Sequence, residues 1–172
     1  MENNNIFLIG FMGSGKSTIA RLLAKETGKE LIEMDETIEA EAGCSINQIF
    51  EEHGEGYFRD LESELVVRIA DKGSTVVSCG GGAVLRAENV ENMKKNGTII
   101  YLSATPETIY KRVRNSTHRP LLNGNMNVEY ITQLMEKRLP IYENAADVVV
   151  DVNDKEKREI VKEIIEIVCQ LN

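Results

Sequence analysis

Residues Gly10 to Thr18 read GFMGSGKST. They follow an apolar run, IFLIG (6–10), and precede an amphipathic segment, IARLLAKETG (19–28). A strand, a glycine-rich turn and a helix in that order bring backbone N–H groups to a helix N-terminus, where an anion is favoured. Gly10, Gly15, Lys16 and Ser17 match the phosphate-loop spacing G-x-x-x-x-G-K-[ST]. Gly13, Ser14, Gly15, Lys16, Ser17 and Thr18 are therefore the candidates for holding a nucleotide's phosphates. Lys16 would reach the β- and γ-phosphates, and the Ser17 hydroxyl would ligate magnesium.

The rest of the chain repeats the alternation that the loop begins. Apolar runs at 30–34, 74–79, 98–102 and 147–152 read as further strands. Between them lie amphipathic helices: Ser17 to Thr27 stopped by Gly28, Asp35 to Ala42 stopped by Gly43, and about Tyr57 to Ala70 after a break at Gly54. Ser45 and Gln48 form a capping-box pair, and Thr105-Pro106 reads as an N-cap and first helical position. Asn127 opens a helix to about Tyr142 that Pro140 ends or kinks. The last helix, Glu156 to Leu171, carries Ile160, Ile164, Val168 and Leu171 on one stripe. Five short apolar strands separated by helices call for an α/β fold, a parallel sheet covered on both faces.

In such sheets ligands bind at the carboxyl ends of the strands. Three unusual clusters fall there: the phosphate loop, Glu33-Met34-Asp35, and Gly80-Gly81-Gly82. The third strand ends in Cys79-Gly80 and offers no acid for a metal. The second strand does, and residues two apart on a strand share a face. One of the two carboxylates could hold magnesium through water. The other could accept a proton from a hydroxyl substrate. N-capping of the following helix is a second role open to Asp35. The glycine triplet implies a close backbone approach of ligand. Arg59, with Glu62 three residues on, and Arg112, Arg119 and Arg138 are placed to neutralise a transferring phosphoryl group or to grip an anionic substrate by a bidentate fork. The polar stretch RNSTHRPLLNGNMN is long for a connector and reads as a functional loop.

Composition bounds the partners. The chain has 172 residues, 42% of them hydrophobic and 28% charged, enough for one domain with a substantial core. Its net charge of −8 disfavours nucleic acid as a partner. No apolar run reaches membrane-spanning length, and the N-terminus lacks the pattern of a signal peptide, so a cytoplasmic protein with no membrane partner is expected. Cys44, Cys79 and Cys169 form neither a zinc pattern nor a disulfide framework, and His53 and His118 stand apart from other ligand types. Nothing points to an obligate interface, so a monomer is expected.

Taken in order, GFMGSGKST, MDETIEAEAGCSINQIFEEHGEGYFRDLE, SCGGGAV, RPLL and KRLPIYENAAD resemble the shikimate kinase family over almost the whole chain. The resemblance implies a three-layer α-β-α P-loop kinase fold with strand order 2-3-1-4-5. It implies one domain over 1–172, with a substrate-binding helical region at about 35–62 and a lid at about 113–126. It implies ATP-dependent phosphorylation of the shikimate 3-hydroxyl, giving shikimate 3-phosphate, in chorismate and aromatic amino-acid biosynthesis, with ATP and Mg2+ as cofactors. Asp35 would contact the substrate hydroxyls and accept the proton. Arg59 and Arg138 would hold the carboxylate, and Gly80, Gly81 and Gly82 would line the pocket, with Gly81 donating a backbone contact. Phe50 and Phe58 would flank the ring. Arg119 would reach the ATP phosphates from the lid, and Arg112 with the segment around Asn153 to Lys155 would lie on the adenine side. One departure stands out. The family commonly has Asp-x-Asp at the end of the second strand, where this chain has Glu33-x-Asp35. The extra methylene suits a water-mediated metal contact better than direct coordination.

Two rivals remain. A gluconate kinase of similar fold would not need two arginines at its acceptor end. A nucleotide switch would carry an Asn-Lys-x-Asp guanine motif, which this chain lacks.

Overall fold

A strand buried on both faces reads as a mostly apolar run, and such runs lie in the interior of the sheet. The computed structural model describes residues 4–114 and 127–171. In it β1 (Asn5–Ile9) lies between β3 (Thr75–Ser78) and β4 (Gly97–Ser103), and every residue of β1 and β3 is buried. The edges are β2 (Glu30–Glu33), beside β3, and β5 (Val148–Asp151), beside β4. All four pairings are parallel, and the order is 2-3-1-4-5. The edge strands keep exposed positions, among them Glu30 and Val149.

Helices α1 (Lys16–Thr27), α2 (Met34–Ala42), α3 (Ile46–Lys72), α4 (Ala87–Lys95), α5 (Pro106–Val113), α6 (Val128–Ala145) and α7 (Lys157–Leu171) make the outer layers. Contacts pair α1 with α7, α3 with α4, and α5 with α6. Their ends follow local chemistry. Thr105 accepts from the Thr108 N–H with Pro106 in the first turn, and Asn127 accepts from the Tyr130 N–H. Ser45 and Gln48 complete both halves of their capping box.

Several expectations shift. β2 stops at Glu33 because Met34, fully buried, already belongs to α2. Gly54, at φ 82° and ψ 172°, breaks the helical geometry inside α3 as expected, but helix resumes before Tyr57. Pro140 does not end α6, which continues to Ala145 because Tyr142 and Ala145 are buried beyond it. Leu171 is exposed, so the buried stripe of α7 is Ile160, Val161, Ile164 and Val168. Cys79 is buried, Cys44 half-buried and Cys169 exposed, and all three are free thiols. His53 is exposed on α3, and His118 lies outside the described residues.

Gly97 shows how tightly the central layer closes. A Cβ there would lie 2.5 Å from the Phe7 ring and 2.9 Å from the Met93 carbonyl oxygen. Phe7 is fully buried and the carbonyl is backbone, so neither yields cheaply. Gly97→Ala is expected to destabilise the fold by about 1–3 kcal/mol, lowering Tm by roughly 2–10 °C in thermal denaturation while sparing activity per folded molecule.

Candidate active site

The carboxyl ends of β1, β2 and β3 open into one cleft of about 1350 Å³. A pocket for one small ligand spans roughly 300–1000 Å³, so this cleft has room for two. Gly13 to Thr18, Glu33, Asp35, Phe50, Phe58, Arg59, Gly80, Gly81, Gly82, Arg112, Arg138 and Lys155 all line it. Arg119 and the rest of 115–126, where the lid is expected, lie outside the described residues.

One half of the cleft is built on the phosphate loop. Gly13 and Gly15 adopt φ of 79° and 100°, conformations that side chains resist. The N-cap of α1 is Gly15, which offers no side-chain cap, and the first turn holds no acid. The N–H groups at this helix start are thus left for an anion from outside the chain. Lys16 reaches back across the loop, its Nζ donating to the Gly10 oxygen at 2.9 Å and the Phe11 oxygen at 3.2 Å. Ser17 Oγ lies 3.3 Å from Ser78 Oγ. Arg112 donates to the Ser14 oxygen at 2.9 Å and the Val152 oxygen at 3.1 Å, tying the loop to the end of β5. Lys155, at the same end, pairs with Glu163 at 2.7 Å.

The other half gathers acids and arginines around the glycine triplet. Asp35 sits in the first turn of α2, and the N-cap of that helix is Glu33. The expected strand alternation therefore does not apply, although both carboxylates still reach the cleft. Asp35 is open to the cleft but enclosed on its other sides. Burial raises its pKa, Lys16 opposes that shift, and Glu39 and Glu33 add to it. Glu33 pairs with Arg21 of α1 at 2.5 Å.

Arg59 is clamped by its own helix. It donates from Nη1 to Glu62, and from Nη2 to Glu55 at 3.1 Å. Its guanidinium lies 5.2 Å from the centre of the Phe58 ring, which packs 5.0 Å from the Phe50 ring. Glu62 is buried, and burial raises its pKa despite the Arg59 pairing. Arg138 contrasts with Arg59. Its Nη1 is buried and has no hydrogen-bond partner among the described residues.

The glycines have a different reason from the one expected. A Cβ on Gly80 would lie 2.8 Å from both Asp35 Oδ1 and Glu62 Oε1, and a Cβ on Gly82 would strike the Arg59 guanidinium. The space they leave is taken by the chain's own carboxylates and guanidinium. Gly81 alone faces open cleft, with Tyr142 Oη 3.8 Å from a Cβ position. Sequence reading missed Tyr142, Ser78 and Arg21. Of these only Tyr142 left a signal, one helical turn beyond Arg138. Among the described residues no three His, Cys, Asp or Glu side chains cluster as a ready-made metal site.

The strand order, the phosphate loop and the two-part cleft define a P-loop kinase acting on a small molecule. The family profile described as Shikimate kinase matches residues 12–169, and the chain belongs to that family. It is 43% identical over 161 residues to a shikimate kinase of Dehalococcoides mccartyi, covering 94% of this chain and 91% of the relative. It is 44% identical to one of Persephonella marina, covering 94% and 96%. The solved structure of shikimate kinase from Acinetobacter baumannii in complex with shikimate superposes with a TM-score of 0.89 at 31% identity, covering 99% of this chain and 95% of that one.

Proposed function

We propose that this kinase transfers the γ-phosphoryl group of ATP to the 3-hydroxyl of shikimate. The observation that carries the acceptor reading is Arg138. A buried guanidinium nitrogen with no partner among the described residues, on the wall of a cleft that also holds Arg59 and Asp35, calls for an anion from outside the chain. A hydroxy acid supplies that anion and a hydroxyl together.

The uncapped start of α1 and the positive φ of Gly13 and Gly15 fit a nucleotide triphosphate. Magnesium fits less completely, through the Ser17 hydroxyl and through water on Glu33. Arg21 offsets part of the Glu33 charge, which also favours an indirect contact. When bound, ATP supplies the phosphoryl group and Mg2+ draws charge from it. The residues of the chain do the rest. Gly13 to Thr18 hold the phosphates with N–H groups and the Lys16 ammonium. Arg59 and Arg138 hold the acceptor's carboxylate. Asp35 takes the hydroxyl proton, and its raised pKa strengthens it as a base. Arg112 and Lys155 lie at the nucleoside end, while the phosphate contact of Arg119 rests on the resemblance alone. Residues at about 35–62 form the acceptor-binding region of a single domain, and the lid at about 113–126 rests on the resemblance alone. The chain works as a cytoplasmic monomer.

ADP release in the presence of magnesium tests the reading. Shikimate is expected to raise it at least tenfold over the shikimate-free rate, with gluconate and nucleoside monophosphates near background. Equal stimulation by gluconate would overturn the acceptor assignment.

A further inference from the structure

Tyr142 lines the cleft but has no part in the reading above. It is 3% exposed, and its ring stacks on Tyr101 of β4 with centroids 5.3 Å apart. It stands one turn beyond Arg138 on α6, so one helix face delivers both side chains. The Tyr142 hydroxyl donates to the Gly81 oxygen at 2.9 Å. Burial pushes that phenol up to about 12, so it remains a donor throughout the neutral range.

The neighbouring carbonyls are held differently. The Gly80 oxygen accepts from the Ala83 N–H at 3.1 Å, and the Gly82 oxygen accepts from the Leu85 N–H at 3.0 Å. Both are turn bonds inside the loop. The Gly81 oxygen is held by α6 instead. Between glycines a peptide plane turns over readily, because no Cβ restricts it. A turned-over Gly81–Gly82 peptide would place a carbonyl dipole against an anionic acceptor. In a trans peptide the C=O and the following N–H point in opposite directions. Fixing the Gly81 oxygen on α6 therefore fixes the Gly82 N–H away from α6. Among the described residues neither the Gly81 nor the Gly82 N–H has a hydrogen-bond partner.

We propose that Tyr142 is the positioning residue of the glycine loop: its hydroxyl holds the Gly81 carbonyl on α6, which fixes the Gly81–Gly82 peptide and keeps that oxygen from turning toward the acceptor's anionic group. This rests on the anionic-acceptor reading, and two measurements on Tyr142→Phe separate the two ideas. Phe keeps the ring and its stacking and removes only the hydroxyl. Hydrogen exchange needs no acceptor, and the turn-bonded amides of Ala83 and Leu85 are expected to exchange about tenfold faster in the variant. Unchanged exchange overturns the clamp whatever the substrate is. In the coupled assay the acceptor KM is expected to rise roughly 3- to 20-fold, with kcat within about threefold of wild type and the KM for ATP unchanged. A purely structural role would raise both KM values together or lower Tm without the split, and either result overturns the proposal. An acceptor KM within twofold of wild type does so too. Failure of shikimate to stimulate ADP release by the wild-type enzyme would instead sink the acceptor reading and leave the exchange result standing.

Discussion

Asp35→Asn is expected to lower kcat by about 10²- to 10⁴-fold, the usual contribution of a positioned general base, with the KM for ATP within a few-fold of wild type. Asn keeps the shape and one hydrogen-bonding oxygen but cannot take the proton. The pH profile gives a second reading of the same group. Burial raises the Asp35 pKa and the Lys16 charge only partly opposes that. The acidic limb of kcat/KM should therefore lie above the range of an ordinary aspartate, with activity lost as pH falls through the folded-state value. Stability runs the other way. A carboxyl whose folded pKa is raised binds more protons when folded than when unfolded, so stability falls as pH rises from the unfolded to the folded value. Glu62 shares this sign, and the Asp35 charge adds to the rise in its pKa. Removing one of the two charges that meet at Gly80 relieves the site. Asp35→Asn should then melt at or above the wild-type temperature at neutral pH while nearly inactive, a trade of stability against function. A kcat within threefold of wild type would end the general-base assignment. A Tm several degrees lower would end the account of the strained carboxylate pair.

The fold was legible because its signals are local. The loop spacing, the Ser45–Gln48 box, the Thr105-Pro106 start and the stop at Gly28 each lie within a few residues and need no partner from elsewhere. The wiring of the site is not local. Arg21 meets Glu33 across the α1–β2 turn, and Tyr142 meets Gly81 across 61 residues of sequence. Gly80 and Gly82 looked like space for ligand, because spacing alone cannot reveal that Asp35, Glu62 and Arg59 converge on them from α2 and α3. The alternation argument for Glu33 and Asp35 failed because the pull of the core on Met34 ended β2 early. Both carboxylates line the cleft all the same, because a helix start at a strand end also faces it. Pro140 removes a backbone donor, yet the burial of Tyr142 and Ala145 carries α6 past it.

Arg138→Met and Arg59→Met are expected to do similar damage to catalysis and opposite things to stability. If both guanidinium groups hold the acceptor's carboxylate, losing either should lower kcat/KM for the acceptor by about 10²- to 10³-fold, mostly through KM, because each removes a charge-assisted contact in a partly dry site. The free enzyme differs between them. Arg59 satisfies Glu55 and the buried Glu62, so its removal strands a buried carboxylate at a cost of about 3–5 kcal/mol. Its Tm should fall by roughly 6–20 °C at neutral pH and recover toward acid, where Glu62 is protonated. Arg138 has a buried Nη1 with no partner among the described residues. Until an anion arrives, that group costs the fold more than it returns. A thioether that replaces the aliphatic stem without the guanidinium should leave the Tm unchanged or raise it. Thermal melts of both variants with and without acceptor separate the cases: saturating shikimate should raise the Tm of wild type and leave Arg138→Met nearly unmoved. A Tm loss for Arg138→Met as large as that for Arg59→Met would mean that Arg138 serves packing, and the carboxylate clamp would have to be sought elsewhere in the cleft.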